Sequence, residues 1–191
     1  MLDNIYDLFN KPQTALLKIS EENNALQSSL LLFTVLFLVS LGFGLNLQLE
    51  VNIALGFALL KGLTGVIFMG CLCALWHFLA ELFGFVGKVK NLFSSMGYIY
   101  VPIIFLIPLY LISALLDNMA GSVIGGFGFI MLMLWVSYLL VVAISVNYNI
   151  SYLRSVVILI IPPTIMLLLS FIMLVAIMGL SMQAIGQIGN L

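Results

Sequence analysis

Charge is what this chain lacks most. Of its 191 residues only 7% are charged, six basic against seven acidic, whereas a water-soluble domain carries about 25%. Such a chain cannot cover its surface with polar groups, which excludes a soluble globular domain. Balanced charge also leaves no electrostatic footprint for nucleic acid. One histidine leaves little for acid–base work. No nucleophile elbow, P-loop or HExxH is present, nor the paired Asp, Ser–His or zinc motif of an intramembrane protease. The expectation is a non-enzymatic protein with no catalytic residue and no cofactor. Cys71 and Cys73 fall in one apolar run; on a helix they point about 200° apart and cannot bridge, so both read as small hydrophobes.

Long apolar runs are what the chain has instead. Hydrophobic residues make up 64%, and the mean hydropathy is +1.29. A bilayer core about 30 Å thick needs roughly 20 apolar helical residues. Five runs qualify, over residues 26–47, 53–80, 98–116, 123–146 and 156–180. They are unbroken rather than alternating, so they are not barrel strands, and helices satisfy every backbone polar group in lipid. The expected fold is an all-α integral membrane bundle of about five transmembrane helices with a short amphipathic N-terminal segment. Residues 1–24 form that segment and 25–191 the membrane domain.

The start lacks the layout of a cleavable signal peptide. Leu2, Ile5, Tyr6 and Phe9 recur at helical spacing, which predicts a short amphipathic helix. Asn10-Lys11-Pro12 breaks it, and Pro12 suits the first turn of a second. Both are expected on the cytoplasmic leaflet or packed under the bundle. Lys11, Lys18, Lys88, Lys90 and Arg154 fall before the first run, between the second and third, and between the fourth and fifth; the other loops hold Glu50 and Asp117. Basic loops stay cytoplasmic, which places the N-terminus inside and the C-terminus outside.

Small residues punctuate the runs. Gly62, Gly65 and Gly70 thin the second, and Gly70 with Ala74 is a small-xxx-small pair. Gly121 and Gly125 make a GxxxG that suits close packing inside the bundle ahead of a dimer seam; Gly125-Gly126 also suits an outer turn. Pro102 and Pro108, and Pro162-Pro163, predict kinks in the third and fifth helices. Trp76 to Pro102 and Trp135 to Pro162 form a faint parallel repeat.

An ionisable residue inside a membrane is a functional hypothesis by default. Lys61 lies about 13 Å along the second helix. It snorkels to the outer interface, or lines a cavity paired with Glu50 or Asp117. Cys73, His77 and Glu81 share a helix face, but Cys73 and Glu81 are about 12 Å apart along the axis, so one ion cannot take all three. No metal site is assigned. His77 and Glu81 suit the interface beside Trp76. Lys61, His77 and Glu81 remain the candidate intramembrane polar residues.

Several stretches resemble the Yip family, the Ypt/Rab-interacting-protein domain. They are Lys11-Pro12-Gln13-Thr14; Trp76-His77-Phe78-Leu79-Ala80-Glu81-Leu82-Phe83-Gly84 with Gly87-Lys88; Gly97-Tyr98-Ile99-Tyr100-Val101-Pro102; Asn149-Ile150-Ser151 with Arg154-Ser155-Val156; and Ile161-Pro162-Pro163. The resemblance implies five spans and a cytoplasmic N-terminus. Eukaryotic members assist vesicle traffic between endoplasmic reticulum and Golgi, and contact small GTPases and one another. Two departures stand out: about two dozen residues precede the first span, where the family usually has a longer N-terminal region, and the Gly84–Lys88 loop is less glycine-dense. They weaken the case for GTPase docking and point to a compact prokaryotic member in the cell inner membrane.

The expected role is to organise membrane or partner proteins through cytoplasmic loops. Lys88, Lys90, Tyr98, Pro102, Asn149 and Arg154 are the candidate partner face. Expected partners are membrane lipid, a membrane or small-GTPase-like protein, and a second copy of the chain. The alternative is a small transporter, channel or lipid-handling protein using Lys61 and the kinked helices.

Overall fold

The computed structural model describes residues 2–116 and 118–188, with side chains for 2–116 and 119–178. Among these residues there are helices and no strand: α1 (Leu2–Asn10), α2 (Pro12–Glu22), α3 (Ala25–Asn46), α4 (Val51–Leu82), α5 (Val89–Ile99), a 3₁₀ turn (Val101–Phe105), α6 (Leu106–Leu115), α7 (Asn118–Tyr148) and α8 (Tyr152–Ile188). Five stretches are long and apolar enough to cross a membrane: Ala25–Asn46, Val51–Leu82, Val89–Leu115, Met119–Tyr148 and Tyr152–Met178. The chain is an all-α multi-pass membrane protein.

The helices outrun the apolar runs read from sequence. The third begins at Val89 rather than Tyr98, because Leu92 and Met96 carry a buried face one turn at a time beyond the continuous apolar stretch. Lys90 is therefore helical and Lys88 is the N-cap, where a loop was expected. Gly125-Gly126 is also helical, inside α7 rather than in an outer turn. Pro102 divides its span: it lacks the N–H an α-helix needs, and α5 gives way to the 3₁₀ turn there. Pro162 and Pro163 stay inside α8. The two halves of the faint repeat thus differ in structure.

Left-handed residues end the helices. Gln48, Gly84 and Asn149 have φ of 57°, 78° and 51°. After each, the next N–H reaches back six residues inclusive: Leu49 to Gly44, Phe85 to Ala80 and Ile150 to Ser145, at 3.2, 2.9 and 3.0 Å. These are Schellman closures, which satisfy carbonyls that lipid cannot. At the start of α3, Asn24 accepts from the Gln27 N–H at 3.1 Å, a side-chain cap.

Glycines set how closely the spans approach. A Cβ on Gly97 would lie 2.2 Å from the Ser28 carbonyl oxygen, and one on Gly121 2.3 Å from that of Ser113. The Gly121–Gly125 motif therefore packs α7 on α6 within the bundle. Gly62 and Gly65 take Phe33 and Leu36 of α3. The N-terminal helices belong to this body. Leu8, Leu16 and Ile19 are buried with Met96, Tyr98 and Val142, and Phe9 sets its edge on Trp135 at 5.3 Å. Of the two placements expected for α1 and α2, this is packing against the bundle. Beyond Pro163, α8 is exposed on all sides as far as Met178, which suits a helix surrounded by lipid.

Candidate functional site

The turn between α4 and α5 and the turn between α7 and α8 meet at one end of the bundle. Asn147 donates through Nδ2 to the Lys88 carbonyl at 3.2 Å. Gly87 lies against the Tyr148 ring, where a Cβ would sit 2.4 Å from Cδ1. Arg154, in the first turn of α8, holds its guanidinium over Phe85 at 5.7 Å, a cation–π contact. Lys88, Lys90 and Arg154 are all exposed here. This is the basic end of the molecule.

Beneath the turns lies a polar knot. His77 Nδ1 and the Tyr148 hydroxyl are 2.9 Å apart, and His77 Nε2 is 3.3 Å from Glu81 Oε1. The neutral Nε2–H tautomer satisfies both: Tyr148 donates to Nδ1 and Nε2–H donates to the carboxylate. Both ring nitrogens are thereby engaged. Cys73 stays apart, fully buried in the core. Among the described residues no group of three or more His, Cys, Asp and Glu side chains could hold a metal ion.

A groove of about 540 Å³ opens beside the knot, between α2 and the α7–α8 turn. Gln13, Thr14 and Leu17 form one wall; Ser145, Asn149, Ser151 and Tyr152 are on the other. Asn149 reaches it because its left-handed backbone closes α7 and turns the chain. Thr14 is held by donating to the Lys11 carbonyl at 3.1 Å. The groove mixes hydroxyls and amides with aliphatic surface.

The six residues expected on the partner face divide. Lys88, Lys90, Asn149 and Arg154 are exposed at the basic end. Tyr98 and Pro102 are buried in the bundle and offer it no surface. Their sequence signal, a Gly-Tyr…Pro run, is a packing signal: Gly97 admits α3, Tyr98 fills the core, and Pro102 ends α5. The three intramembrane candidates divide as well. Lys61 lies about 24 Å along α4 from His77, and His77 and Glu81 belong to the basic end. Lys61 makes no ion pair with Glu50; Asp117 lies outside the described residues. Gln13, Thr14 and Tyr148 were not singled out, although Gln13 and Thr14 stand in a stretch that carries the family resemblance; nothing in the sequence marks Tyr148 as the partner of His77.

A family model described as the Yip1 domain matches residues 6–181, nearly the whole chain. The chain belongs to the Yip1 family. Its match takes in all five spans and most of the N-terminal hairpin, so that hairpin is part of the Yip1 domain here rather than an appendage. No curated protein and no solved structure gives a match.

Proposed function

We propose that this Yip1-family protein is a non-enzymatic organiser of partner proteins, which it engages at the basic end. One observation carries the reading. Two of the stretches that carry the family resemblance, Gln13-Thr14 and Asn149-Ile150-Ser151, are far apart in sequence yet line one groove. The exposed cations Lys88, Lys90 and Arg154 share that end of the bundle, which favours a partner segment with acidic residues next to a short apolar anchor. The family's general association with Rab-type GTPases makes such a GTPase or its equivalent one class of partner, and a compact member in a prokaryotic inner membrane would engage another. Basic turns stay cytoplasmic, so the groove faces the cytoplasm, with the C-terminus outside.

Photocrosslinking tests the reading. A benzophenone amino acid at position 13, and separately at 149, should give adducts with the same protein in native membranes. Replacing Lys88, Lys90 and Arg154 with Gln should cut that adduct while the protein still elutes as a folded species. Two positions that yield no common protein adduct would overturn the proposal.

A further inference from the structure

Lys61 faces lipid about a third of the way along α4. It lies about 15 Å from the start of α4 at roughly 1.5 Å per residue. The contact of Gly44 with Ala54 and that of Leu36 with Gly65 bracket its level, which places it beside the C-terminal half of α3, near Ser40. Its side chain is exposed. Among the described residues the one ion pair is His77 with Glu81, so no described carboxylate answers this ammonium. Its nearest compensation is the Phe57 ring at 5.8 Å. Phe57 is one turn earlier, so Lys61 leans toward the α4 N-terminus, as helical side chains do and as snorkelling requires. A cation held this deep is costly, and bilayers respond by thinning and drawing headgroups inward.

The ammonium does not stand on a smooth helix. It lines a groove of about 370 Å³ between α3 and α4, with Leu36, Ser40, Thr64, Gly65 and Phe68. Gly65 brings the helices together here, since a Cβ would lie 2.3 Å from Leu36 Cδ1. Thr64 donates back to the Leu60 carbonyl at 2.7 Å, and Thr34 likewise to Leu30 at 2.8 Å. The Ser40 hydroxyl makes no hydrogen bond to a described residue. An ammonium and an uncommitted hydroxyl therefore line one groove whose rim is apolar. Charge-assisted bonds of this kind suit a phosphate, and Leu36 and Phe68 suit the chains attached to one.

We infer that the α3–α4 groove at Lys61 is a binding site for the phosphate of a membrane phospholipid, with Lys61 and Ser40 as its donors. The site lies nearer the α3–α4 turn than the basic end and does not depend on the groove there.

The test uses the full chain in phosphatidylcholine vesicles that contain a minor fraction of phosphatidylglycerol with a diazirine in its headgroup. Adducts are mapped by mass spectrometry. Labelling is expected within residues 36–40 and 64–68. It should fall roughly tenfold in Lys61→Met, the size of one lost charge-assisted contact, and return in Lys61→Arg. Ser40→Phe, which fills the groove but keeps the cation, should lower it comparably. Adducts at the basic end serve as the internal control for folding. Equal labelling in wild type, Lys61→Met and Ser40→Phe would overturn the site, as would the absence of headgroup adducts there in wild type. Suppression by added inorganic phosphate would overturn the lipid assignment in favour of a free anion.

Discussion

The Ser28 hydroxyl sits inside the hydrogen-bond ladder of a neighbouring helix. It donates to the Phe93 carbonyl at 2.8 Å and accepts from the Gly97 N–H at 2.8 Å. Phe93 and Gly97 are the two residues that an ordinary i to i−4 bond of α5 would join. The hydroxyl reaches them because Gly97 has no side chain: α3 lies where its Cβ would be.

This relationship predicts an asymmetry. Gly97→Ala must push α3 and α5 apart against a backbone atom, and should cost about 3 kcal/mol, the upper range for overpacking. Ser28→Ala lets Phe93 and Gly97 bond to each other, and should cost about 0.6 kcal/mol, the typical worth of a hydrogen bond between membrane helices. Unfolding in mixed detergent measures both; a Ser28→Ala loss as large as that of Gly97→Ala would contradict the account.

The His77–Tyr148 contact predicts coupling. His77→Phe and Tyr148→Phe each strand one polar group in a half-buried site, at about 1–3 kcal/mol. The double variant removes both groups and should cost less than the two single losses together. A double-mutant cycle on thermal unfolding checks this, and strict additivity would mean the contact carries no energy.

Gly84 isolates a backbone effect. Nothing lies within 4 Å of where its Cβ would be, and its φ is +78°. Gly84→Ala therefore meets no neighbour and should lose about 1 kcal/mol from the left-handed conformation alone. Gly84→Asn, which tolerates that conformation better, should lose less. Equal losses in the stability assay would shift the cause from backbone to packing.

Gly121 distinguishes bundle packing from a dimer seam. Gly121→Val should lower the thermal midpoint by parting α6 and α7, and leave the detergent-corrected mass unchanged. A variant of halved mass and unchanged midpoint would place Gly121 between copies.

Membrane class, helical content and the five spans were legible in the sequence, because lipid imposes a length and a composition that each span must meet alone. The ends of helices were less legible, since a helix persists beyond its apolar run wherever one face is still buried, as Val89–Ile99 does. The Gly-Tyr…Pro run did not reveal that Tyr98 and Pro102 are buried: burial depends on what packs over a residue, and over Tyr98 this is Asn4, Glu22 and the hairpin they join. The meeting of Gln13-Thr14 with Asn149-Ser151, of His77 with Tyr148, and of Ser28 with Gly97 was decided by tertiary structure only. Each pair is distant in the chain, and nothing in an apolar periodicity says which face of one span meets which face of another.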